Sequence, residues 1–133
     1  MKKFNKKRIA TFLVATGTLL TTCMVPALAY DATYLDLRVS GRGYDYSYFQ
    51  NADTDNGDWC VDLDHDYDRD EVVLCARLEN SEYDKRGYMK VFEGTSNVAS
   101  STCADGHDYR IKGMRERWYD GYVTIQGHWY LNY

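Results

Sequence analysis

The sequence predicts an all-β fold, an antiparallel β-sandwich or small barrel of about seven short strands, placed after an N-terminal export segment. Three observations carry this. Apolar and polar residues alternate with a period of two along most of the chain beyond residue 30, the signature of half-buried strands. No stretch of that region carries an apolar stripe at helical spacing. Turn-forming residues interrupt the alternation about every 8 to 12 residues, the spacing of small all-β domains.

The export segment comes first. Lys2, Lys3, Lys6, Lys7 and Arg8 precede an apolar run from Ile9 to Leu20. Pro26 then breaks any helix, and Ala27-Leu28-Ala29 is a small-x-small cleavage site. These parts in this order make a secretory signal peptide over residues 1–29. The run is shorter than the roughly 20 apolar residues a spanning helix needs, so no membrane span is expected in the mature form. Leu20-Thr21-Thr22-Cys23 is similar to a bacterial lipobox, which gives the alternative of a lipid anchor on Cys23.

Residues 30–133 remain as a single β domain that holds all 13 tyrosines and all three tryptophans. Disordered segments are poor in aromatics, so this region folds. It carries 20 acidic residues against 11 Lys and Arg, a net of −9. That excess speaks against nucleic acid, which is bound through clustered positive charge. It also predicts repulsion from anionic membrane surfaces. A protein or a cell-surface glycan is the expected partner.

Leu35, Leu37 and Val39 alternate with Asp36 and Arg38 in a first strand, and Ser40-Gly41-Arg42-Gly43 is a turn or bulge. A second strand, Tyr44 to Phe49, sets Tyr44, Tyr46 and Tyr48 on one face. Gln50 to Asp58 is a polar loop. Trp59–Leu63 and Glu71–Leu78 read as the third and fourth strands. A hairpin centred near Tyr67-Asp68 sets Cys60 opposite Cys75, where a cross-strand disulfide is geometrically feasible. A register shift of one residue makes Cys103 the alternative partner. The cysteines after Ala29 are odd in number, so one thiol stays free or links two chains as a dimer.

Gly87 to Phe92 is a fifth strand, and Ser96 to Gly106 a loop carrying Cys103. Tyr109–Trp118 and Tyr122–Leu131 are the last two strands. Tyr119-Asp120-Gly121 between them is a hairpin signal, and Val123, Ile125, Trp129 and Leu131 form an inward-facing set.

Two features bear on function. Asp53, Asp55, Asp62, Asp64, Asp66 and Asp68 lie in one acidic stretch and are the candidate ligands for Ca²⁺, a hard cation that takes six to eight oxygens. Asp53 to Asp58 opens like an EF-hand loop. However, its Gly57 falls at the fifth position rather than the sixth, and Asp64 stands at the twelfth in place of Glu. The other feature is the aromatic load. Tyr44, Tyr46 and Tyr48 are the candidate binding residues, since tyrosine offers a flat apolar face with a polar handle. Trp118, Tyr119, Tyr122, Trp129, Tyr130 and Tyr133 crowd the last two strands. Lys112, Arg115 and Arg117 read as a solvated or salt-bridged strand face. No catalytic constellation stands out: His107 lies near Cys103 in sequence only, and the chain is not expected to be an enzyme.

The Lys-rich signal ending Ala27-Leu28-Ala29, the short aromatic β domain and the terminus Val123-Thr124-Ile125-Gln126-Gly127-His128-Trp129-Tyr130 together resemble small exported β proteins of Gram-positive bacteria, including the lactococcin 972-like bacteriocins. The C-terminal likeness covers about 20 residues. The resemblance implies a secreted protein that acts on neighbouring cells by binding. The chain therefore reads as a secreted, non-enzymatic binding or interaction protein. The alternatives are a bacteriocin-like antimicrobial protein and a Ca²⁺-dependent glycan-binding module.

Overall fold

The computed structural model describes residues 32–133, so the predicted export segment and Cys23 lie outside the described residues. Among the described residues there is no helix, and none is long and apolar enough to cross a membrane. The fold is an antiparallel β-sandwich, as the alternation predicts.

Nine strands follow in order: β1 (Ala32–Val39), β2 (Asp45–Tyr46), β3 (Gln50–Asn51), β4 (Asp58–Leu63), β5 (Val73–Asn80), β6 (Lys85–Phe92), β7 (Ser96–Ser100), β8 (Asp108–Arg115) and β9 (Val123–Leu131). One sheet runs β1-β9-β4-β7. The other runs β2-β8-β5-β6, with β3 also on β8. The core lies between them. Leu35, Leu37, Val39, Trp59, Val61, Ile125 and Trp129 of the first sheet meet Leu74, Ala76, Leu78, Val91 and Ile111 of the second, all fully buried. Burying each such side chain stabilises the fold by roughly 1.5–3 kcal/mol.

Two predicted hairpins are not hairpins. β4 and β5 belong to different sheets, and so do β8 and β9. Residues 64–72 and the Asp120-Gly121 turn carry the chain from one sheet to the other. β5–β6 is the one sequential pair that bonds directly, through a turn in which the Asn80 side chain accepts from the amides of Glu82 and Asp84. The turn residues do reverse the chain, but an acute reversal serves a sheet change as well as a hairpin.

The predicted second strand is also broken. Ser47 Oγ accepts the Ile111 amide at 2.8 Å, where a backbone carbonyl would complete the ladder. β2 ends at Tyr46, and pairing with β8 resumes in β3 at Gln50, inside the predicted polar loop. The predicted loop from Ser96 contains β7, which pairs along the edge of β4. In the middle of its sheet β9 passes close to β4 at Gly127, where a Cβ would overlap the carbonyl of Asp62. Glycine is required there by the approach of the two backbones.

The predicted Cys60–Cys75 disulfide does not form. Cys60 alternates with the inward Trp59 and Val61, so it points out of the first sheet; Cys75 alternates with Leu74 and Ala76 and points out of the second. The core separates them, and packed sheets lie about 10 Å apart, beyond disulfide reach. Cys103 is buried within the core cluster. All three thiols are free.

Candidate functional site

The outer faces of the two sheets differ in charge. On the first sheet Asp36, Asp58, Asp62 and Asp64 are exposed. One row crosses all four strands in register: Tyr34, His128, Asp62 and Ser96. The Ser96 hydroxyl donates to Asp62 at 2.7 Å, and Tyr34 meets His128 edge-on at 5.7 Å.

The outer face of the second sheet is cationic. The period of two on β8 brings Arg110 and Lys112 to it, β5 brings Arg77, and β6 brings Lys85 and Lys90. Aromatic rings lie between these charges. Lys112 sits 4.0 Å from the centre of the Tyr44 ring and Arg110 3.6 Å from that of Tyr46. Arg110 is also 5.1 Å from both Phe49 and Tyr83, and Lys85 is 5.1 Å from Tyr88. A cation over a ring is held by the ring's quadrupole, more strongly as water is excluded.

Glu79 lies beneath this layer and is 1% exposed. Arg77 Nε is 2.8 Å from its Oε1, and Arg110 is its cross-strand neighbour. The buried carboxylate balances the Arg77 guanidinium from below. Burial first, and then the negative charge of Glu79, push the Tyr46 phenol above its usual value. Tyr83 adopts a left-handed conformation (φ 68°), uncommon for a bulky residue. Its carbonyl accepts from Arg77 at 3.1 Å while its ring stays over Arg110.

The three candidate tyrosines are placed unequally. Tyr44 and Tyr46 meet edge-on at 5.4 Å on the cationic face. Tyr44 is exposed and Tyr46 half-buried. Tyr48 falls beyond the Ser47 break and is 81% exposed. It lines an open groove of about 400 Å³ between β1 and β2, together with Tyr34, Asp36, Asp45 and Tyr46.

The six candidate Ca²⁺ ligands do not converge. Among the described residues no group of three or more His, Cys, Asp or Glu is gathered to hold a metal ion. Several of the oxygens in this stretch accept hydrogen bonds within the protein. Asp55 accepts the Asp105 amide at 2.8 Å, and the Gly57 carbonyl accepts from the amide and hydroxyl of Ser101. Asp62 accepts from Ser96, and Asp66 from the Asp68 amide. The Asp53 amide is held by Asn132. Asp64, Asp66 and Asp68 do share a depression of about 480 Å³, but its counter-ion is Arg69, which reaches across to Asp66 and Glu93.

Sequence reasoning passed over Arg110, Arg77, Phe49 and Tyr83. The alternation of Arg110 and Lys112 with the inward Tyr109, Ile111 and Gly113 is the available signal. Tyr83 gave none, because it sits in a polar turn. Of the two residues grouped with Lys112 in sequence, Arg115 is the last residue of β8, opposite the inward-facing Leu74, and Arg117 lies beyond the sheet.

The chain matches no protein-family model, no curated protein and no solved structure.

Proposed function

We propose that this is a secreted, non-enzymatic binding protein that engages an anionic glycan at or outside the cell surface through the outer face of β2, β8, β5 and β6. One observation supports this most: in an acidic chain, Arg77, Lys85, Arg110 and Lys112 are gathered on one sheet face, with tyrosine rings set among them and Lys90 paired with Glu116 beside them. Sugar rings stack on exposed aromatic faces, and the flanking cations select for carboxylate, sulfate or phosphate substituents. Tyr44 is exposed on this face, and the half-buried Lys112 lies against its ring.

Titration calorimetry with a polyuronate, a polyphosphate and neutral dextran tests the reading. Binding is expected to the charged polymers, to weaken steeply with added salt, and to fall about tenfold or more in a Tyr44→Ala/Lys112→Ala variant. Equal binding to dextran, or unchanged binding by the variant, overturns it.

A further inference from the structure

The turn between β1 and β2 and the turn between β8 and β9 meet at one end of the sandwich. Gly41 donates to the Asp120 carbonyl at 2.9 Å, and the Arg115 amide donates to the Ser40 carbonyl at 3.1 Å. The two turns are so close that a Cβ on Gly41 would overlap the carbonyl of Arg117. Asp120 is used internally, accepting the Arg117 amide at 3.2 Å and lying 3.7 Å from Arg115. This end is therefore a closely packed tip whose two acidic groups, Glu116 and Asp120, are each paired with a cation.

Three large aromatic side chains project from it. Trp118 is 64% exposed, Tyr119 62% and Tyr122 63%, whereas Trp59 and Trp129 are fully buried. Each exposed ring has its own guanidinium: Arg42 over Trp118 at 4.8 Å, Arg38 over Tyr122 at 5.1 Å and Arg117 near Tyr119 at 5.9 Å. Exposed aromatic clusters of this kind mark interaction sites. Trp and Tyr favour the boundary between water and lipid, where the ring is half-immersed and its polar edge stays wet. Arginines beside them meet lipid phosphates. The repulsion expected from the net charge does not govern the tip, because charges more than about 8 Å away are screened at physiological salt.

We propose that this tip docks on a bilayer containing anionic lipid, with Trp118, Tyr119 and Tyr122 seated in the headgroup layer and Arg38, Arg42 and Arg117 on its phosphates. The surface is separate from the glycan-binding face, and the proposal stands without that reading.

The sequence has three tryptophans, and two are in the core. A change in tryptophan emission on adding lipid therefore reports Trp118. The full chain is mixed with phosphatidylcholine vesicles that contain or lack phosphatidylglycerol. The expected results are a blue shift and quenching by a lipid-borne quencher with the anionic vesicles only, and neither effect in a Trp118→Phe variant. An Arg42→Gln/Arg117→Gln variant is expected to partition roughly thirtyfold more weakly, at about fivefold per arginine. An unchanged melting temperature shows that it remains folded. Unshifted emission with anionic vesicles, or partitioning unaffected by the two substitutions, overturns the proposal. So does an equal shift with soluble glycerol phosphate, which would make the tip a site for free phosphate.

Discussion

Replacing Arg69 with Met tests how the acidic segment is held. Arg69 lies beneath it, with 24% of its side chain exposed, and pairs through Nη2 with Glu93, whose side chain is 2% exposed. Its Nε donates to the second Glu93 oxygen at 3.5 Å, and Nη2 also donates to the Thr124 carbonyl at 2.8 Å. Removing one partner of a buried ion pair costs about 3–5 kcal/mol, because the other charge is left unpaired away from water. The partial exposure of Arg69 lets water reach the site, so the lower end applies, about 3 kcal/mol. At about 4–8 °C per kcal/mol for a domain of this size, the melting temperature falls by at least about 12 °C. Glu93→Gln alone removes the charge but keeps the shape, and is expected to cost about 1–2 kcal/mol. If the unpaired carboxylate is the main cost, Arg69→Met/Glu93→Gln is no less stable than Arg69→Met alone. The double-mutant cycle then shows a coupling of about 1–2 kcal/mol. Urea unfolding followed by emission of the buried tryptophans measures all four proteins. Costs that add within about 0.5 kcal/mol refute the reasoning.

Two further predictions concern groups that sequence reasoning singled out. Burial pushes the Cys60 and Cys103 thiols above their ordinary value, so the folded protein holds these protons more tightly than the unfolded chain. Their contribution to stability is complete below the unfolded thiol pKa and is lost as pH rises beyond about 8.5. Denaturation midpoints should fall over that range, and peptide mapping after brief alkylation should find half-exposed Cys75 modified ahead of Cys60 and Cys103. For the acidic stretch, thermal melts in millimolar Ca²⁺ and in chelator should coincide. An upward shift in Ca²⁺ would show that the carboxylates can gather around a cation after all.

Much of the architecture was legible because alternation directly encodes which side of a strand faces inward. Leu35, Leu37 and Val39, and likewise Ile125, Trp129 and Leu131, are read correctly for that reason. β7 was not legible: Ser96 to Ser100 is small and polar, and becomes a strand because the edge of β4 offers it partners. The candidate site was half legible. Tyr44 and Tyr46 stand out in the sequence, but the cations between them come from β5, β6 and β8 and converge only once those strands are aligned.

The sequence by itself determined the all-β class, the acidic balance, the positions of most strands and the inward faces of the first and the last. These follow from local spacing and composition. The tertiary structure decided which strands pair, and with them the fate of the cysteines, the break at Ser47 and the division into an acidic and a cationic face. A strand's alternation is the same whichever neighbour it bonds. A turn such as Asp120-Gly121 only reverses the chain, leaving open whether the next strand returns beside the last or crosses to the other sheet. That choice rests on non-local fit: Trp59 and Trp129 filling the space between the sheets, Gly127 allowing β9 against β4, and Arg69 holding the crossing segment in place.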